Sequence, residues 1–263
     1  MNFSTVLSTG RTSGNAVTLE LTPDWLQGRT AYGGWQAALA VLAMRAVLGD
    51  DIELRSLQIN FIAPVPPGMV TASAAMLRRG KSVAQLEARI LVDGKVAFTA
   101  VGIFGAGRAS AVTQQPVARS IALAADAVAD WPYVAGRMPE FMRHFHVRWA
   151  QGKPPYSGAE NADASMYVRF RDDAVRSEAH LIGLADAIPP SALSVLTRLS
   201  MISSINWTLE LINPLQDDER SDWFRFDAEL SASTSGYAWE NTAIWSSRGR
   251  LIALSRQCIA IFG

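Results

Sequence analysis

Apolar and polar residues alternate from Ala16 to Thr22 (AVTLELT), which predicts a half-buried strand closed by Pro23-Asp24. After a short loop the period changes. From Gly34 to about Leu48 alanine and leucine fill most positions, predicting a helix buried on most sides and stopped by Gly49-Asp50. Four strand-like runs follow: Leu54 to Ala63, Met69 to Leu77, Val83 to Val92 and Lys95 to Phe104. Turn residues separate them, namely Pro64, Pro66, Pro67 and Gly68, then Arg79-Gly80, then the hairpin signal Asp93-Gly94. A buried helix followed by an antiparallel meander predicts an α+β fold in which the sheet wraps the helix.

The pattern breaks between about Ala106 and Glu140, an alanine-rich, turn-prone connector with room for a short helix, and then returns. Strand-like His144 to Ala150 and Met166 to Phe170 precede a helix from about Asp173 to Ile188, with Asp172, Asp173 and Ser177 as candidate caps and Pro189-Pro190 as its stop. Strands are expected over Ser204 to Leu211, Asp222 to Ser231, Tyr237 to Ser246 and Arg250 to Phe262. The halves also match in detail. Gln58-Ile59-Asn60-Phe61 lies over Ser204-Ile205-Asn206-Trp207, Asp93-Gly94-Lys95-Val96 over Arg248-Gly249-Arg250-Leu251, and Ile103-Phe104-Gly105 over Ile261-Phe262-Gly263. These matches, in common order, predict an internal duplication: 1–108, a connector 109–140, and 141–263. Either half alone would leave an unprotected sheet edge, so the two sheets are expected to join into one continuous sheet.

Composition narrows the class of partner. The chain has 263 residues, and 49% apolar content supplies a sizeable core. A formal net charge of zero and a charged fraction of 18% provide no basic stripe, which argues against nucleic acid. Cys258 is the single cysteine, so no internal disulfide or cysteine metal cluster can form. His144 and His146 are expected on one face of a strand, where ordinary polarity is a better reading than a metal site. No basic start precedes an apolar run, and no stretch approaches about twenty apolar residues, so a soluble, cytoplasmic protein without a membrane span is expected.

One carboxylate, Asp186, interrupts the apolar helix Leu181, Ile182, Leu184, Ile188, and a half-buried acid needs a reason. A resemblance supplies one. A helix clasped by an antiparallel sheet, present twice, resembles the double hotdog acyl-CoA thioesterases, in particular the bacterial type II, TesB-like family. Tyr32-Gly33-Gly34-Trp35-Gln36 resembles the family's aromatic-Gly-Gly-x-Gln at the start of the first helix. Asn60-Phe61-Ile62-Ala63-Pro64 resembles the strand end before its Pro-Gly turn, and Leu184-Ala185-Asp186 its Ala-x-Asp. The resemblance implies a water activated by Asp186, a hydroxyl and Gln257. Ser200-Met201-Ile202-Ser203-Ser204-Ile205-Asn206-Trp207 resembles the family's Thr-Leu-Asp-Leu-Thr-Val-His-Phe, which puts Ser200 on the hydroxyl position. Serine replaces threonine there and Ile202 replaces an acid, so Ser203 or Ser204 stays open as the hydroxyl.

Thioester hydrolysis needs a positioned water, a base and donors for the oxyanion. An apolar setting near a helix C-terminus would raise the pKa of Asp186 and strengthen it as a base. The helix beginning at Gly33-Gly34 would offer backbone N–H groups to an oxyanion or thioester oxygen, and the acyl chain would lie between helix and sheet. Arg169, Arg171 and Arg176 are read as a solvated basic face before a CoA-phosphate contact. Direct hydrolysis of an acyl-CoA substrate without metal, cofactor or covalent intermediate is the leading expectation, with no G-x-S-x-G elbow present. A hotdog hydratase or dehydratase is the second, with His180 as its histidine, and an acyl-CoA or lipid binding protein without turnover the third. A homo-oligomer is expected from the sheet edges and the abundance of tryptophan.

Overall fold

A computed structural model of the chain describes residues 1–118, 123–172, 176–219 and 222–262. Asp173, named above as a candidate cap and helix start, and Gly263 lie outside these residues. The chain forms two compact units, neither contiguous in sequence. One comprises Met1–Thr113, Tyr133–His144 and Arg171–Asp186, and the other Gln114–Pro132, Phe145–Phe170 and Ala187–Gly263.

The first unit runs through α1 (Phe3–Ser8), β1 (Arg11–Ser13), β2 (Ala16–Leu21), a small ribbon of β3 (Leu26–Gln27) and β4 (Thr30–Ala31), and the long helix α2 (Gly33–Leu48). Then come β5 (Glu53–Phe61), β6 (Gly68–Arg79), β7 (Val83–Val92) and β8 (Lys95–Gly105), with α3 (Glu178–Leu184) completing the unit. Its antiparallel sheet has the order β1-β2-β6-β7-β8-β5. α2 packs on β6, β2 and β7 and on α3. Twelve of its 16 residues are buried, so a one-sided amphipathic pattern would have been wrong for it. Gly49 ends it at φ 82°, a conformation other residues rarely take.

Ahead of the first strand predicted from the sequence lies a helix. α1 starts with Asn2 capping the Thr5 N–H, and it buries Phe3 and Val6 at 1% and 0% exposure. The expected helix from 173 to 188 is shorter. α3 is capped by Ser177, whose hydroxyl and backbone N–H form a reciprocal capping box with His180, and it ends before Ala185. Asp186 therefore lies in the turn beyond the helix rather than within it.

The second unit contains β9 (Phe145–Gln151), β10 (Ala164–Phe170), β11 (Met201–Leu211), β12 (Phe224–Thr234), β13 (Tyr237–Trp245) and β14 (Leu251–Phe262). Their order is β11-β14-β13-β12-β10-β9, all antiparallel. Exchanging β9 for β1, β10 for β2 and β11–β14 for β5–β8 turns one sheet order into the other. Each unit therefore carries the same six-strand topology.

Candidate active site

In the first unit the site is built where α2 starts. Tyr32 is its N-cap, fully buried, stacked on Phe141 at 4.0 Å, and its hydroxyl donates to the Gly183 carbonyl at 2.8 Å. Burial, with the charge of Asp186, raises this phenol well above its ordinary range, so it stays a neutral donor. The Gly34 N–H donates to Asp186 Oδ2 at 2.9 Å. Asp186 is half-buried. A Cβ at residue 33 would lie 2.6 Å from Asp186 Oδ2, and one at residue 34 would lie 2.5 Å from the Gly183 carbonyl oxygen. Closeness, not conformation, requires both glycines.

This arrangement changes the expected roles. From the sequence, the Gly33 and Gly34 N–H groups are expected to face an oxyanion or thioester oxygen, and Asp186 to lie among apolar neighbours near a helix C-terminus. Instead the carboxylate takes the Gly34 N–H at the positive end of α2, a contact that holds negative charge.

In the second unit β11 and β14 pair with a register shift between Ser204 and Asn206, and Trp207 faces Gln257. The serine that meets Gln257 is Ser204, whose Oγ donates to Gln257 Oε1 at 3.3 Å. Ser200 is half-buried just before β11, and Ser203 is exposed. Of the three serines the sequence left open, Ser204 is thus the one hydrogen-bonded to the glutamine.

Beside this pair stands an acid that sequence reasoning missed. Glu240 on β13 is opposite Gln257 in the register, and is 5% exposed. Its Oε2 accepts from the Ser191 N–H at 2.8 Å and the Ser191 hydroxyl at 2.9 Å. Burial pushes this carboxyl up to about 7, against hydrogen bonds from Ser191 and Ala192 that hold it down. The signal was present: Ala238, Glu240, Thr242 and Ile244 are the inward positions of a strand, and one of them is an acid.

Other candidates separate. Arg176 is neither solvated nor available to a phosphate, being 5% exposed and ion-paired with Asp172. Arg169 lies over the Trp223 ring at 4.6 Å. His144 ends a short 3₁₀ helix rather than starting a strand, and its ring stacks on Trp25 at 4.0 Å. His146 bonds Asp130 at 2.9 Å. Among the described residues no group of three or more His, Cys, Asp or Glu could hold a metal ion, and no helix is long and apolar enough to cross a membrane.

Residues 21–105 match the acyl-CoA thioesterase N-terminal domain and residues 121–261 the acyl-CoA thioesterase C-terminal domain. The chain belongs to the acyl-CoA thioesterase family. No curated protein is significantly similar to it in sequence. Solved structures share its fold. A hot dog fold protein of unknown function from Alicyclobacillus acidocaldarius superposes with a TM-score of 0.87 at 21% identity, over 97% of this chain and 96% of that one. The tesB protein of Mycobacterium avium subs paratuberculosis gives 0.82 at 16% identity, over 100% of both chains. The acyl-CoA thioesterase II TesB2 of Mycobacterium marinum gives 0.76 at 15%, over 96% and 95%. This acyl-CoA thioesterase family member accordingly has an α+β double hotdog fold.

Proposed function

We propose that the chain hydrolyses an acyl-CoA thioester to the free acid and CoA, with Asp186 as the base that activates water. The observation that supports this most is the Asp186 carboxylate on the Gly34 N–H, which joins two of the positions that carry the family resemblance. Asp186 removes a proton as the water oxygen bonds to the thioester carbonyl carbon, and the carbonyl electron pair moves to oxygen. Collapse of the tetrahedral oxyanion breaks the C–S bond, and the departing thiolate takes the proton back from Asp186. A carboxylic acid accepts a hydrogen bond more weakly than a carboxylate. The Gly34 N–H is therefore released from Asp186 as negative charge grows on the substrate oxygen, and the start of α2 becomes the oxyanion donor at that moment. The family resemblance gives Gln257 and a serine hydroxyl the task of ordering the water, and Ser204 is the serine hydrogen-bonded to Gln257.

The dehydratase reading loses its histidine. His180 is held by Ser177 at Nδ1 and by Ser4 at Nε2, both at 2.9 Å, and burial lowers it to about 4.

Thiol release from a panel of acyl-CoAs of different chain lengths tests the proposal. Asp186→Asn, with its circular dichroism unchanged, should lose roughly 10²–10⁴-fold in kcat. Full activity in that variant would overturn the role of Asp186. Tight acyl-CoA binding by the wild type with no thiol release would overturn the hydrolase reading and leave a binding protein.

A further inference from the structure

Because the two units share one strand order, each inward row of one sheet has a counterpart in the other. Matching Phe61 to Trp207, the row across β5, β8, β7 and β6 reads Phe61, Phe98, Ile90, Ala72. Phe98, Ile90 and Ala72 are completely buried. The row across β11, β14, β13 and β12 reads Trp207, Gln257, Glu240, Leu230. An apolar pair in one unit is replaced by an amide and a carboxylate in the other.

Burying a carboxylate costs free energy that Phe98 and Ile90 never incur, so the polar pair is retained at the expense of stability. Its bonding indicates the use. Glu240 accepts from the Ser191 N–H, the Ser191 hydroxyl and the Ala192 N–H, which fastens the turn Ser191–Ser194 to the inner face of the sheet. That turn is also tied from the other side, by Tyr156 N–H to the Leu193 carbonyl at 2.7 Å and Ala159 N–H to the Ser194 carbonyl at 2.9 Å. Directly opposed residues on paired strands have Cβ atoms about 5 Å apart, so the Glu240 charge acts on the Gln257 amide. It repels the amide oxygen and attracts the NH₂. This agrees with Oε1 being turned toward Ser204 on β11.

We propose that Glu240 is a positioning residue for thioester hydrolysis, its carboxylate directing the Gln257 amide and clamping the turn at 191–194. The proposal rests on the hydrolase reading above. Protonation abolishes the first effect and weakens the second. The groups that face Glu240 are Ser191 and Ala192 of the turn, Gln257 of β14, Leu230 of β12, and Ala238 and Thr242 of its own strand, none of them charged. With its carboxyl near 7, Glu240 changes charge around neutral pH.

Glu240→Gln keeps the shape and an acceptor for Ser191 but carries no charge. Between pH 6 and pH 8 the ionised fraction of a group titrating at 7 rises about tenfold. The ratio of wild-type to Glu240→Gln kcat should rise by about that factor, with KM for the same acyl-CoA unchanged. A ratio independent of pH overturns the proposal. Amide hydrogen exchange gives a readout that needs no turnover. After correction for intrinsic base catalysis, protection of the Ser191 and Ala192 amides should rise from pH 6 to 8 in the wild type and stay level in Glu240→Gln. Equal behaviour in the two proteins overturns the clamp. Absence of thiol release by the wild type overturns the hydrolase reading and the catalytic half of this proposal, while the exchange experiment still decides the clamp.

Discussion

A methyl group at residue 34 has nowhere to go, because the atom it meets is the backbone carbonyl of Gly183. Gly34→Ala must push α2 away from residues 183–186. It should cost about 1–3 kcal/mol in thermal unfolding and draw the Gly34 N–H off Asp186, abolishing most acyl-CoA hydrolysis. At residue 33 the atoms met are the ends of two side chains, Asp186 Oδ2 at 2.6 Å and Phe61 Cζ at 2.9 Å, which can shift more readily than a backbone carbonyl. Gly33→Ala should therefore lower thiol release with a smaller fall in melting temperature. Equal unfolding costs for the two variants would contradict this distinction. The glycines were legible in the sequence as a motif, and so was Asp186. Their contact was not, because it joins residues 152 apart and involves a backbone N–H, which carries no residue identity. Glu240 was overlooked for a related reason: alternation identifies an inward position but not the donors waiting there.

At the scale of elements, strands were the legible part. Val83–Val92 has the bounds its alternation predicts, and Asp93 and Gly94 take the positive φ values, 50° and 74°, that a tight hairpin needs. α2 was legible from its alanine and leucine content. α1 was not, since FSTVLS offers only two core contacts, Phe3 and Val6, and its stability comes from what it docks on. Phe3 is in edge contact with His180 and lies against Gly183 so closely that a Cβ there would be 2.6 Å from its ring. Ser4 bonds both Asp172 and His180. Phe3→Ala should cost about 3–5 kcal/mol and free the amides of Phe3–Ser8 to exchange, as measured by hydrogen exchange. Protection unchanged in that variant would show that α1 is held by something other than its buried ring.

For the whole molecule, two buried groups make stability depend on pH in opposite directions. Burial, aided by the charge of Arg176, lowers His180 from 6.5 to about 4. Its contribution is complete above pH 6.5 and is lost as pH falls toward 4. Glu240 is raised from 4.5 to about 7, so the native state favours its protonated form, and stability falls as pH rises from 4.5 to 7. Glu240→Gln removes the second effect alone. Its stability relative to the wild type should grow across that window, toward an upper limit of about 3 kcal/mol above pH 7, in denaturant unfolding at a series of pH values. A constant difference would mean that Glu240 does not titrate there. The inward acid thus has a consequence for acid tolerance. From pH 4.5 to 6.5 folding takes up one proton at Glu240 and sheds one at His180, and the two counts cancel. The contributions of these two residues therefore offset each other over that window, and each would be felt in full if the other were replaced.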